Sequence, residues 1–387
     1  MRTPESKIKA AILHPEEEIR LDAVEYFALA RCEDVSVMPL VIQAVEKYGQ
    51  AATAEILHGA LRLPQTEASV DWITDQLRRD YDLSDVVQEN HCIYLAWILF
   101  HTSPPLFAKR FNDFIATPGF PKPLRRLLKE RLDTFAWDWD RGWAALKYYA
   151  LDTQQHGFDN NAHEWGDIIV ESLARQQQTD KVLALLQGQH DDEDPCLMCR
   201  LRPRIVEMAG EMRLTSAVPL LMGLFHTMLS CGARLALAQI GGDAVLEEID
   251  ARWRRGGREF RRWAARLLEK LRGDNYAKRC LVYFQQARDK ETKLTLAEAL
   301  LENFCEDAVD PISRYLGDVS ARDCRRREFD LRYRMVATAT IMGRTFPQFD
   351  RWRKLALRDN WGQLDSPPHR MANSYKPEQF GPKWSEN

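Results

Sequence analysis

Apolar side chains in this chain recur at helical spacing, and the pattern itself returns after about 34 residues, the length of one helix-turn-helix repeat. One stripe, spaced i, i+3, i+4, i+7, i+8 and i+11, consists of Phe260, Trp263, Ala264, Leu267, Leu268 and Leu271. Similar stripes occur at Ile19, Ala23, Tyr26, Phe27 and Ala30, and at Leu294, Ala297, Leu301 and Phe304. Such spacing places apolar groups on one face of a helix. No comparable run alternates with a period of two, so the sequence predicts an all-α fold.

Helix pairs are predicted to begin near ten positions: Pro15, Ala51, Val87, Pro121, Asn160, Pro195, Leu229, Gly257, Asp289 and Ala321. The second helices share an opening, seen in Val35-Ser-Val-Met-Pro, Ser216-Ala-Val-Pro, Asp243-Ala-Val-Leu and Asp307-Ala-Val-Asp. We expect Asp or Ser to cap the helix there and the Ala-Val positions to pack inward.

The segment Gly232-Ala-Arg-Leu-Ala-Leu-Ala-Gln-Ile-Gly-Gly-Asp-Ala-Val-Leu-Glu-Glu-Ile249 resembles HEAT-like repeats of the type found in phycobilisome lyases and many bacterial solenoids. The resemblance implies an α-solenoid of about ten helix pairs, a curved rod whose inner helices form an extended binding surface. Tetratricopeptide repeats have a similar length, but their Trp-x-x-Leu-Gly-x-x-Tyr opening does not recur here, so they are the second choice. The repeat by itself implies a scaffold and no chemistry.

The two halves of the chain carry net charges of opposite sign. Residues 1–199 contain 20 Lys and Arg against 32 Asp and Glu, whereas residues 200–387 contain 34 against 25. The sign changes at the acidic loop from Gln187 to Pro195, which is predicted to be a hinge. We therefore predict acidic HEAT-like repeats over 1–190 and basic ones over 191–358. Prolines exclude a long helix from the tail, 359–387, whose aromatic residues would cover the last repeat or dock in a groove.

The strongest candidate site is the run from Ala251 to Gly273, which has nine cationic and two acidic side chains and two tryptophans. Clustered arginine can hold phosphate through two hydrogen bonds at once, or contact an acidic protein surface. The predicted binding residues are Arg252, Arg254, Arg255, Arg258, Arg261, Arg262 and Arg266, followed in a second cluster by Arg325, Arg326 and Arg327. Solvated helix faces are the competing interpretation, with Trp263 in the core. The second cluster extends to Arg332, Arg334, Arg353 and Arg358, where interleaved acids such as Asp330 would neutralise part of the charge.

Other motifs give weaker signals. Phe135-Ala-Trp-Asp-Trp-Asp-Arg-Gly-Trp143 resembles the Trp, Asp and Arg set of HEAT-like alkylpurine DNA glycosylases, with Asp138 and Asp140 as carboxylates, but Asp138 also fits a helix N-cap. Cys196-Leu-Met-Cys199 lacks the second ligand pair of a structural zinc site, and we expect both thiols to be buried. A single His163-Glu164 pair does not support a di-iron site.

No phosphate-binding loop, nucleophile elbow or zinc-protease motif occurs, so the sequence predicts no catalytic residue, metal or cofactor. The scattered cysteines favour reduced, mostly buried thiols. The first residues lack the apolar segment of a secretory signal, and a cytoplasmic protein with no membrane contact is expected. The function that fits best is a non-catalytic scaffold for a protein partner bound along its concave surface. Nucleic-acid binding by the basic half is the alternative, and a glycosylase-like enzyme is a distant third.

Overall fold

The protein is described by a computed structural model that covers residues 2–29, 33–82, 84–117, 120, 122–156, 160–189, 194–325 and 330–362. In these residues the chain forms 22 α-helices joined by short turns and 3-10 segments, and none of them belongs to a β-strand. The predicted all-α fold class is therefore confirmed.

Packing divides the described chain into two compact units. Of the described residues, unit 1 comprises those within 2–120 and 268–362, and unit 2 comprises those within 122–267. The predicted division at 190/191 followed charge, and residues 190–193 lie outside the described part of the chain, as do residues 363–387 of the tail. The hinge and the role of the tail remain predictions.

Unit 1 contains two sets of helices, one that precedes unit 2 along the chain and one that follows it. The first set is α1 (Glu5–Ala11), α2 (Glu17–Leu29), α3 (Val37–Tyr48), α4 (Ala54–Gly59), α5 (Glu67–Leu77), α6 (Val86–Phe100) and α7 (Pro104–Ala116). Unit 2 contains α8 (Lys122–Asp133), α9 (Trp139–His156), α10 (Asn160–Arg175), α11 (Thr179–Leu186), α12 (Pro195–Glu211), α13 (Val218–Gly223), α14 (Ser230–Ile240), α15 (Gly242–Trp253) and α16 (Arg258–Leu268). The second set of unit 1 is α17 (Asp274–Gln286), α18 (Lys290–Glu302), α19 (Val309–Asp318), α20 (Ala321–Cys324), α21 (Leu331–Met342) and α22 (Phe349–Arg358).

The predicted helix starts agree with the structure. All ten lie within two residues of an observed helical segment, as with Asn160 for α10, Pro195 for α12 and Ala321 for α20. The apolar stripes are buried, apart from Ala30, which is outside the described residues. Alternate helices contact each other, α2 with α4 and α4 with α6, and α10 with α12 and α12 with α14. Local periodicity therefore located the starts of these ten helical segments.

The predicted capping of the second helices is wrong. No side-chain capping hydrogen bond is made by the residues at the N-cap positions of α3, α13, α15 and α19, which are Ser36, Ala217, Gly241 and Ala308. Two of these helices instead follow a 3-10 turn, Thr215–Ala217 before α13 and Glu306–Ala308 before α19. The turn places the Ala-Val pair in the core, because Ala217, Val218, Ala308 and Val309 are all buried. The inward packing of the Ala-Val pair is thus confirmed for α13 and α19 without the cap, whereas Ala244 of α15 is only half-buried.

Unit 1 joins the two ends of the described chain. Helices α1 and α2 pack on α21, and the backbone N–H of Thr3 donates to the Phe304 carbonyl at 2.9 Å. An open solenoid would keep the first and last repeats apart, because each repeat contacts only its neighbours. That linear order does not hold within this unit. The apolar face of the first helix pair is covered by helices from the other end of the chain.

A buried ion network holds this junction. Arg334 of α21 is only 14% exposed, and its guanidinium lies 2.6 Å from Glu302 of α18 and 3.3 and 3.4 Å from Glu25 and Asp22 of α2. Arg272 adds a second cation, 2.8 Å from the other oxygen of Glu302. Removing a charge from such a network leaves its partners buried without compensation, which is costly.

The two buried carboxylates respond differently to this environment. Burial raises the pKa of Asp22 well above its ordinary value, and Arg334 offsets only part of that effect. Burial would also raise the pKa of Glu302, but Arg334 and Arg272 together hold that pKa below its ordinary value. The two arginines therefore stabilise the charge on Glu302, whereas burial opposes the charge on Asp22.

Unit 2 has its own buried arginines. The guanidinium of Arg131 on α8 makes two hydrogen bonds to the Glu171 carboxylate on α10, at 3.1 and 3.0 Å. Arg204 of α12 contacts Asp167 of α10, and a Cβ at Gly166 would lie 2.5 Å from its guanidinium. Gly166 thus allows α10 and α12 to approach around a buried charge.

No helix of the described residues has both the length and the apolar character needed to cross a membrane.

Candidate arginine-rich binding site

Seven of the predicted binding arginines lie in unit 2, on the end of α15, the turn that follows it and α16. We call this set the arginine surface: Arg252, Arg254, Arg255, Arg258, Arg261, Arg262 and Arg266. The turn is tight, because the N–H of Gly256 donates to the Arg252 carbonyl at 2.6 Å. A Cβ at Gly256 would lie 2.6 Å from the Phe260 ring and 2.8 Å from that carbonyl. Glycine is therefore required for the turn that presents Arg254 and Arg255.

The two tryptophans belong to the core. Trp253 is 5% exposed and Trp263 is 9% exposed, which confirms the prediction that Trp263 lies in the buried stripe of α16. The guanidinium carbons of Arg262 and Arg266 lie 5.9 and 5.4 Å from the centre of the Trp263 ring. These rings are covered, so stacking on a nucleic-acid base would require α16 to move.

Two arginines of the surface have structural roles. Arg252 pairs with Glu248 one turn earlier on α15. Arg261 folds back from α16, and its side chain donates to the carbonyls of Trp253 and Arg254 at 3.1 and 3.5 Å. Because the last carbonyls of a helix have no partner within the helix, Arg261 acts as a cap for α15.

Arg254, Arg255 and Arg258 are the exposed members of the arginine surface. Among the described residues, Arg254 and Arg255 have no side-chain hydrogen bond or ion pair. The nearby carboxylate of Glu259 is directed to the His226 imidazole, at 3.5 Å. The turn therefore offers guanidinium groups to an external anion, since an exposed arginine without a partner keeps its full hydrogen-bonding capacity.

The second predicted cluster belongs to unit 1. Arg325 is exposed and its backbone forms an isolated bridge with Asp330, while Arg326 and Arg327 lie outside the described residues. The guanidinium of Arg332 donates two hydrogen bonds to the Asp330 carboxylate, at 2.9 and 2.5 Å. The predicted neutralisation by interleaved acids is confirmed at this pair.

Further cations of that stretch are also paired. Arg334 is the centre of the buried network, Arg353 pairs with Glu16 and Arg358 pairs with Asp359. A continuous basic stripe along both clusters stays a prediction. Much of the charge counted in the second cluster stabilises unit 1 and is not offered to a ligand.

The weaker motifs find structural explanations. The Asp138 carboxylate accepts from the N–H of Arg141 at 2.9 Å and so caps α9, while Trp139 and Trp143 stack on the same helix.

Cys196 and Cys199 are exposed, contrary to prediction, because they lie on the outer face at the start of α12. The side chains of His163 and Glu164 lie outside the described residues, and within the described part no group of side chains could hold a metal ion.

No protein-family model matches the chain, and a search of curated proteins also finds no match.

Proposed function

We propose that this chain is a non-catalytic, HEAT-like scaffold that binds an acidic surface of a protein partner through the exposed part of the arginine surface. The observation that carries the proposal is the turn at Arg254 and Arg255, where a glycine-dependent backbone presents two unpaired guanidinium groups. Complementary charge of this kind fixes the orientation of a partner and speeds its association.

The burial of the tryptophans favours a protein over a nucleic acid. A surface for single-stranded nucleic acid combines cations with exposed aromatic rings, and Trp253 and Trp263 are both covered. Contacts to the backbone of a duplex need only the cations. Binding of DNA or RNA phosphates by Arg254, Arg255 and Arg258 is therefore the second candidate, and it differs from the first in its salt dependence.

The test uses a charge-reversed variant, Arg254→Glu with Arg255→Glu and Arg258→Glu. The tagged wild-type chain is used for affinity capture from nuclease-treated extract of the native host, in parallel with the variant and with Arg202→Glu. Arg202 is exposed on α12 and lies outside the arginine surface, so it is the matched control. We expect a stoichiometric protein with the wild type and the control, and its loss with the variant. Capture that is equal in all three would contradict the proposal.

The alternative is measured on the same proteins. If the arginine surface binds duplex DNA through three phosphate contacts, the logarithm of the association constant should fall with the logarithm of salt concentration with a slope of about −2.7. The variant should lose this binding. Absence of any retention of duplex DNA or RNA at low salt would exclude the second candidate.

A further inference from the structure

A cleft of about 500 Å³ opens in unit 1 where the turn between α17 and α18 faces the end of α19 and the start of α20. Its volume lies in the range of ligand pockets, about 300–1,000 Å³. The lining combines cationic, aromatic, apolar and acidic groups: Ala287, Arg288, Lys290, Lys293, Tyr315, Asp318, Val319, Ser320 and Asp323. No sequence motif marks these residues, because they flank two turns that are separated along the chain.

Lys293, one of the cations that line the cleft, lies against two aromatic rings. The Nζ atom of Lys293 lies 5.1 Å from the centre of the Phe284 ring and 5.0 Å from that of Tyr315. Ring faces attract an ammonium group and restrict its position, but they supply no hydrogen-bond acceptor of carboxylate strength. Among the described residues, no carboxylate is paired with Lys293.

Lys290, the neighbouring lysine of the lining, is paired with a carboxylate, unlike Lys293. Lys290 lies 2.7 Å from Asp323, and the hydroxyl of Ser320 donates to the other oxygen of that carboxylate at 2.7 Å. Lys290 is therefore neutralised within the cleft. Arg288 is exposed at its rim and, within the described part of the chain, has no ion pair. Arg288 and Lys293 are the two lining cations that remain available to a ligand.

We propose that this cleft binds an acidic segment of a protein, with side-chain carboxylates held by Lys293 and Arg288. The exposed carboxylate of Asp318 lines the opposite side, where it would repel a small dianion but would accept backbone N–H groups of a peptide. Tyr315 and Val319 offer apolar surface between the polar groups. A peptide carries acceptors, donors and apolar atoms together, and this mixture matches the lining.

The inference rests on the proposed function in one respect, that the ligand is a protein segment, but it concerns a different surface. The test measures the fluorescence anisotropy of dye-labelled octaglutamate with the full chain at low ionic strength. The Arg254→Glu, Arg255→Glu, Arg258→Glu background removes binding to the arginine surface. In that background Lys293→Met, which keeps the aliphatic stem, should weaken binding about tenfold or more, because it removes charge-assisted hydrogen bonds.

Two further variants keep the result interpretable. Arg288→Gln changes an exposed rim residue and should also weaken binding, even if Lys293→Met affects folding. Lys278→Met is the matched control, because Lys278 is an exposed lysine of α17 outside the cleft, and it should leave the Kd unchanged. Equal binding by the Lys293→Met, Arg288→Gln and Lys278→Met variants, or no octaglutamate binding, would overturn the proposal.

Displacement of octaglutamate by millimolar inorganic phosphate would also overturn it, in favour of a small-anion site. The two proposals can fail separately. Equal capture by the wild type, the charge-reversed variant and Arg202→Glu, with octaglutamate binding intact, leaves only the cleft standing. Loss of capture in the charge-reversed variant, with no octaglutamate binding, leaves only the arginine surface.

Discussion

Arg334 of unit 1 and Arg254 of unit 2 both come from arginine-rich stretches of the sequence, yet their surroundings are opposite. Arg334 is buried among three carboxylates from two other helices, whereas Arg254 is exposed on a turn that only glycine permits. The first arginine holds distant segments of the chain together, and the second is available to a ligand. The comparison teaches that the charge of a stretch predicts binding only after its internal ion pairs are known.

Replacing the buried Arg334 should cause the largest loss in the free energy of unfolding. Arg334→Ala leaves the buried carboxylates of Asp22 and Glu302, and the half-buried one of Glu25, without their shared cation, so we expect a loss of about 3–5 kcal/mol in the free energy of unfolding. Urea unfolding followed by circular dichroism measures this loss. Arg322→Ala, at an exposed arginine of the same stretch, is the control and should change little. An equal effect of both variants would remove the distinction between buried and exposed arginines.

The second prediction separates the two carboxylates beside Arg334. Glu302→Gln should destabilise the protein at neutral pH by about 3 kcal/mol, because it leaves Arg272 and Arg334 short of an anion. Asp22→Asn should change stability by less than about 1 kcal/mol, since burial already opposes the charge on Asp22. A larger loss with Asp22→Asn than with Glu302→Gln would contradict the described electrostatics of the network.

The same two groups give opposite pH dependences. Glu302 has a lowered pKa in the folded state, so its stabilisation is complete above its ordinary pKa and is lost as pH falls through the folded value. Asp22 has a raised pKa in the folded state. The folded protein therefore gains stability as pH falls from above that raised pKa toward the ordinary pKa of an aspartate. Urea unfolding across that range should show a smaller rise for Asp22→Asn, with the remaining rise due to Glu25, Glu17 and Glu207, whose pKa values burial also raises.

The third prediction concerns Arg261, which belongs to the arginine surface but not to its exposed part. Arg261→Ala removes hydrogen bonds to two carbonyls at the end of α15, so we expect a loss of about 1 kcal/mol. Partner capture should persist, because Arg254 and Arg255 remain. Loss of capture without loss of stability would assign Arg261 to the binding surface.

The smallest stability effect is expected at the turn itself. Arg254→Ala and Arg255→Ala remove exposed side chains that have no described ion pair, so the free energy of unfolding should change by no more than about 0.5 kcal/mol. Their effect should appear in capture of the partner. A loss of stability as large as that of Arg261→Ala would mean that these arginines also support the fold.

Sequence patterns predicted the local part of this structure. Apolar spacing located the starts of ten helical segments and the core position of Trp263, because both depend on residues a few positions apart. The contact of α2 with α21 could not be predicted in this way, since periodicity does not specify which apolar faces meet. For the same reason the sequence included Arg334 among the basic residues of the second cluster, although its partners Asp22 and Glu25 lie at the other end of the chain.

The junction in unit 1 also sets an order for biosynthesis. Glu25 and Arg334 are 309 residues apart, and at about 5–20 residues per second roughly 15 to 60 s separate their emergence from the ribosome. All of unit 2 is synthesised in that interval, so it can fold while α2 still lacks α21. The part of α2 that packs on α21 remains uncovered meanwhile, although α1 and α4 already contact α2, and a nascent chain stalled before α21 would expose that part to chaperones.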